Sequence, residues 1–284
     1  MNEFNTKKWT HIIQSKHNIL SIDFKEIWYY RDLIYLLVKR DFIISFKQTI
    51  LGPLWFFINP ILTTVMFIVI FGRVANLSTD GAPMLPFYLA GVTLWNYFSS
   101  CLTSISTVFR GNASVFGKVY FPRLVMPISI VLSNLLRFGV QFLLLILIVL
   151  YYYISDGSVQ PNIWILITPV LLFLMASLAM AIGLIFSALT TKYKDFSMLL
   201  GFGVSLAMYI TPVVMPASAF PDKYKWIINL NPLTGIFECF KYAYLGFGGF
   251  NFIMLLYTTL FTFIFLVIGI LVFNKTEKTF LDTV

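Results

Sequence analysis

Residues 111–119, GNASVFGKV, come nearest in this sequence to a nucleotide-binding loop. Such a loop follows the pattern GxxxxGK[ST], in which the glycines let backbone N–H groups wrap the phosphates and the final hydroxyl ligates Mg²⁺. Here Gly111 and Gly117 enclose five residues, and Val119 follows Lys118. No nucleotide site is expected. Cys101 and Cys239 have no cysteine near them, and His11 and His17 lie far away in sequence, so neither a disulfide nor a metal site is predicted. The motifs of zinc hydrolases and serine hydrolases are absent, and no apolar stretch contains paired carboxylates. One charge stands inside such a stretch, Arg137. Snorkelling or a structural pairing is the favoured reading of it, with a contact to a substrate phosphate as the other.

These residues sit in a chain of 284, of which 59% are hydrophobic types and 11% charged. That composition belongs to membrane proteins. Six apolar stretches, residues 51–71, 86–109, 124–154, 163–189, 196–219 and 250–273, are each long enough to cross a bilayer at roughly 1.5 Å per residue. Too little chain remains for an ordinary soluble catalytic domain. Pro60, Pro127, Pro169 and Pro212 fall inside the stretches and predict kinks or broken starts. The stretches contain no Asp, Glu or His, the residues that relay protons or bind coupling ions, so ion-coupled transport is not expected. Without an ion relay or an ATP site, active transport must draw its energy from another subunit.

The formal net charge of +8 is read here against the bilayer rather than as a nucleic-acid surface. With both termini inside, fifteen of the twenty Lys and Arg residues fall on the cytoplasmic side and four outside, Arg73, Lys223, Lys225 and Lys241. The bias agrees with an even number of spans. The first fifty residues show no apolar region leading to a cleavage site and are expected to stay attached and cytoplasmic. Three regions follow: an N-terminal segment 1–50, a transmembrane region 51–273 and a cytoplasmic tail 274–284.

Within residues 24–47, charges recur at Lys25/Glu26, Arg31/Asp32, Lys39/Arg40/Asp41 and Lys47. Ile27, Trp28, Ile34, Tyr35, Val38, Phe42 and Phe46 make the opposite surface. An amphipathic helix lying in the interface is predicted, either a passive anchor or one with a mechanical task. Residues 220–249 are too polar for a simple span. Asn231-Pro232 divides them into two short helices expected at the outer face.

Aromatics make up 18% of the chain. Many serve as interfacial belts or lipid-facing residues. Trp55, Phe56, Trp95 and Tyr97 differ in standing beside Asn59 and Asn96, and rings next to amides suit a path for sugar rings. Lipid contact and helix packing remain open for the same residues.

Several stretches closely resemble the membrane subunits of ABC-2-type polysaccharide exporters, and among them the O-antigen and lipopolysaccharide export permeases. They are LLVKRDFIISFKQTILGPLW (36–55), FGRVANLSTDGAPMLPFYLAGVTLWNYFS (71–99), GNASVFGKVYFPR (111–123), LTTKYKDF (189–196), TPVVMPAS (211–218) and NPLTGIFECFKYAYLG (231–246). The second and fourth match in pattern rather than residue by residue. The resemblance implies an all-α integral membrane protein with six transmembrane helices, an interfacial amphipathic helix and short outer-face helices before the last span. It implies a homodimer with two copies of a cytoplasmic ATPase, which would hold the ATP and Mg²⁺, moving a lipid-linked polysaccharide across the bacterial inner membrane. No cofactor is expected on this chain and no nucleic-acid partner, only membrane lipids. The family's coupling loop maps onto Gly111, Phe116, Gly117, Lys118, Tyr120 and Arg123, with Lys192, Lys194 and Asp195 as a second inner loop. The resemblance also implies an aromatic-lined channel, for which Trp55, Phe56, Asn59, Trp95, Asn96 and Tyr97 are candidates. A flippase or membrane enzyme acting on lipid-linked glycans without ATP is the alternative class; capsule and teichoic-acid export are alternatives within the family.

Overall fold

The computed structural model describes residues 24–116 and 121–280, and every regular element among them is helical. Among the described residues, four segments are long and apolar enough to cross a membrane: Gly52–Val74, Val125–Ser155, Ile163–Lys192 and Phe252–Thr276. The first contains α3 (Trp55–Phe67) and ends in a π-helical segment, Ile68–Val74. Its Pro60 lies buried inside the helix, a position that membrane helices tolerate when neighbours cover the freed carbonyl. The second segment is α7 (Val125–Ser155), the third ends in α8 (Thr168–Lys192), and the fourth belongs to α12 (Phe252–Phe280). Helix α12 runs past residue 273, so the expected tail begins as helix.

Two expected spans take another form. The stretch 86–109 is α4 (Met84–Ser106), which is less apolar because Thr, Ser and Asn recur along it. Sixteen of its 23 residues are buried, so α4 faces protein rather than lipid, and several of its hydroxyls bond to its own turns. Thr103 Oγ1 donates to Ser99 O at 2.7 Å and Ser106 Oγ to Thr103 O at 2.7 Å. The stretch 196–219 yields α9 (Asp195–Ile210), sixteen residues spanning about 24 Å, before the chain turns at Thr211-Pro212. Six full spans are thus not evident from length and composition alone.

Helix α4 is the hub, packed by α3, α7, α8 and α9. Glycines permit close approach: a Cβ at position 183 would stand 2.8 Å from Ile105 Cγ2, and one at position 269 would stand 2.6 Å from Ala181 O. The α8–α4 and α8–α12 contacts therefore use small residues, the usual route to tight helix packing where lipid supplies no hydrophobic drive.

The N-terminal stripe forms α1 (Phe24–Tyr29) and α2 (Arg31–Ile44). Its packing face agrees in part with the expected one, since Ile27, Ile34, Val38, Phe42 and Phe46 are half-buried. Leu37 is the buried residue of α2, with Leu33 and Ile34 half-buried beside it, while Trp28 and Tyr35 are 68% and 67% exposed. The repeat located the charges and most of the contact face, and Leu33 and Leu37 join that face from positions the repeat did not mark.

After α9, short helices α10 (Lys225–Leu230) and α11 (Leu233–Leu245) are separated at Asn231-Pro232. The end of α11 is closed by a distant loop: Gln160 N donates to Leu245 O at 3.1 Å, Asn162 N to Ala243 O at 3.0 Å, and Asn162 Nδ2 to Tyr242 O at 2.9 Å. These bonds fill carbonyls that a helix terminus leaves open.

Candidate functional site

At one end of the bundle, the connection between α4 and α7 folds into two single turns, α5 (Val108–Gly111) and α6 (Ala113–Phe116). Phe109 stacks on Phe273 of α12, with centroids 4.6 Å apart, and Phe116 stacks on Phe121 at 5.6 Å. The Arg123 guanidinium lies 5.5 Å from the centre of the Phe116 ring. Leu37 of α2, Ile105 of α4, Met126 of α7 and Leu184 of α8 complete the same buried cluster. The loop is therefore clamped to five long elements by aromatic packing, and a displacement of Phe116 must move its neighbours, because a close-packed core does not deform continuously. Gly111 is exposed; Gly117, Lys118 and Tyr120 lie outside the described residues.

The second loop lies at the same end. Thr190 Oγ1, at the end of α8, donates to Ser106 O at the end of α4. Lys192 Nζ lies 5.2 Å from the centre of the Tyr193 ring, and Asp195 opens α9, where a carboxylate suits the helix N-terminus. Lys194 is exposed.

The candidate aromatics separate into two groups. Trp55 is 46% exposed and Asn59 is exposed on α3, while Phe56 stacks on Phe42 at 5.7 Å. Trp95, 5% exposed, packs against Phe98 at 5.7 Å, and Tyr97 against Phe138 at 5.4 Å, both inside the chain. Asn96 Nδ2 donates to Gln141 Oε1 at 3.3 Å. Tyr97 also lines an apolar cleft of about 730 Å³ between α7 and α8, whose lining includes Thr168 and Tyr244 with their hydroxyls 2.9 Å apart.

The opposite end holds a polar cluster that the sequence reading passed over. Lys241, 3% exposed on α11, donates to Pro212 O at 2.7 Å, with its ammonium 3.5 Å from the centre of the Phe87 ring. Burial pulls its pKa down to about 7, opposed by Glu238 and Asp80. Glu238 Oε1 accepts from Ala217 N at 3.2 Å, and burial pushes its carboxyl above the usual range despite Lys241. Asp80 accepts from Ser218 Oγ. Together these bonds tie the α3–α4 connection to the segment around α11. A Glu and a Lys three residues apart inside an apolar helix were the visible signal. Cys101 and Cys239 are buried free thiols, and no cluster of metal ligands occurs among the described residues.

The family model of ABC-2 type transporters matches residues 32–245, which reaches from α2 through the clamped loop to the end of α11. The chain belongs to the ABC-2 type transporter family. Curated relatives agree with that placement. This ABC-2 chain is 28% identical over 255 residues to the O-antigen export system permease protein RfbA of Klebsiella pneumoniae, covering 89% of this chain and 95% of that one. It is 24% identical to a protein of the same name from Myxococcus xanthus over 76% of this chain and 82% of that one. It is 23% identical to the polysialic acid transport protein KpsM of Escherichia coli over 87% of this chain and 94% of that one. All three likenesses span most of both proteins.

Proposed function

We propose that the chain is the membrane subunit of a bacterial inner-membrane ABC exporter, passing a lipid-linked polysaccharide outward with energy from a separate ATPase. The observation that carries this reading is the end-to-end likeness to the O-antigen export permeases, at 28% identity over 89% of the chain. O-antigen is the favoured cargo. Capsular polysaccharide is the second reading, supported by the more distant likeness to the polysialic acid transport protein.

In the proposed topology, α4 and α9 complete a six-span bundle with the four apolar segments, and both termini face the cytoplasm. The clamped loop end then lies on the cytoplasmic side, as the positive-inside bias requires. Two copies of the chain assemble with two ATPases, which bind the ATP and Mg²⁺. Gly111, Phe116, Gly117, Lys118, Tyr120 and Arg123 receive the ATPase stroke, and Lys192, Lys194 and Asp195 assist. The aromatic cluster around Phe116 supports this role, because it joins the loop to α2, α4, α7, α8 and α12 in one packed unit. For the glycan path, Trp55 and Asn59 are the accessible candidates of a single chain. Trp95 and Tyr97 are packed inside it and would support the path's wall.

Deleting the coding sequence in the native bacterium tests the reading. Surface polysaccharide should disappear while completed lipid-linked polymer accumulates in the inner membrane. Normal surface polymer in the deletion strain would contradict it.

A further inference from the structure

Helices α7 and α8 follow each other in the chain, yet each packs chiefly on α4 and they meet little directly. The cleft of about 730 Å³ lies in the gap between them, with Tyr97 of α4 and Tyr244 of α11 also in its lining. It follows α7 from Ile128 to Phe142 for about 21 Å and α8 from Thr168 to Met180 for about 18 Å, at 1.5 Å per residue. Both helices belong to segments long and apolar enough to cross a membrane, where one leaflet supplies about 15 Å of hydrocarbon. Leu132, Leu166 and Phe173 of the lining are exposed, so the cleft opens on a flank of the bundle that the bilayer would cover.

The chemistry of the lining selects the occupant. Its side chains offer four hydroxyls, of which those of Thr168 and Tyr244 face each other and the others belong to Tyr97 and Ser177. No charged side chain lines the cleft, and none of the buried side-chain atoms left without a partner among the described residues belongs to it. Water needs two to four polar partners, and a glycan needs more, so neither suits this space. A helix about 10 Å across would need about 1,600 Å³ over the same length, more than twice what the cleft provides, so a partner's helix does not enter it. Left empty, the lining would forfeit its dispersion contacts. The volume spread over that length gives a mean cross-section of about 35 Å², room for one or two extended hydrocarbon chains whose carbons keep ~4 Å from their neighbours.

We infer that the cleft between α7 and α8 holds the acyl chains of a bilayer phospholipid as a fixed part of the fold. With no Lys or Arg in the lining, recognition is of hydrocarbon alone, and the most abundant chains occupy the site by mass action. The inference needs only that α7 and α8 cross a bilayer, and it stands apart from the export reading.

Native mass spectrometry and thermal unfolding of the purified full-length chain in detergent test the site with three added probes. These are palmitoyl-oleoyl phosphatidylethanolamine, dihexanoyl phosphatidylethanolamine and undecaprenyl phosphate. The long-chain phospholipid should stay bound and raise the unfolding temperature, while the short-chain one, with the same headgroup, should do neither. Ala176→Phe and Leu135→Phe each put a ring where several methylenes would lie, and each should cut retention roughly tenfold and remove the rise in unfolding temperature. Val170→Phe, on an exposed part of α8 outside the lining, should keep both. Equal stabilisation by the two phospholipids, or wild-type retention in a folded Ala176→Phe or Leu135→Phe, would overturn the inference. Displacement of the phospholipid by an equal amount of undecaprenyl phosphate would overturn it in favour of an isoprenoid tail.

Discussion

Lys241 keeps an ammonium where water scarcely reaches, and its acid–base behaviour follows from that. Its usual pKa of 10.5 falls to about 7 because burial penalises the charged form more than Glu238 and Asp80 favour it. Between those values the unfolded chain binds more protons than the folded one, so stability rises with pH from about 7 to about 10.5. The gain is lost as pH falls through 7. Glu238 acts oppositely at lower pH, since its raised pKa makes the folded state hold a proton above 4.5. Lys241→Met should therefore flatten the rise in unfolding temperature between pH 7 and 10; parallel curves for the two proteins would refute the assignment. The aromatics divide in the same way. Trp95→Ala should destabilise by about 3–5 kcal/mol, because it empties a packed site. Trp55→Ala, on an exposed face, should leave unfolding almost unchanged and slow export of long polymer. Equal loss of stability in both would mean that Trp55 is also a packing residue.

The loop between α4 and α7 shows how much an element's role depends on contacts across the chain. Its length, basic residues and position between apolar stretches were readable in the sequence, as was the break between α10 and α11 at Asn231-Pro232. The stacking of Phe109 on Phe273 was not, because the two are separated by most of the chain and no local pattern pairs them. The same holds for the capping of α11 by residues 160–162, which uses backbone groups that side-chain patterns do not encode. Helix α2 was legible in most of its contact face, and the Leu33 and Leu37 contacts were missed, since they are set by the shape of the cluster the helix meets. Phe116→Leu keeps apolar volume and removes the stacked ring, at a cost of about 1.5 kcal/mol or less. It should leave ATP hydrolysis by the assembled complex near normal and reduce export severalfold. Unchanged export with a folded protein would make the loop a topological anchor alone.

The described residues form an all-helical body, and the four segments long and apolar enough to cross a membrane contain no Asp, Glu or His. Its membership of the ABC-2 family rests on a match that runs from α2 to α11. Composition and the apolar stretches already conveyed a multi-helix membrane protein. They did not distinguish α4, buried by protein, from the more exposed α7 and α12, because the Thr, Ser and Asn residues scattered along α4 still leave a long apolar stretch. Transport in a defined membrane tests the central claim most directly. The purified chain, reconstituted in vesicles with its ATPase and a lipid-linked polysaccharide, should move polymer across the bilayer only when ATP is supplied, and the chain alone should hydrolyse none. Polymer movement by the chain without ATPase or ATP would contradict the account and identify an energy-independent flippase.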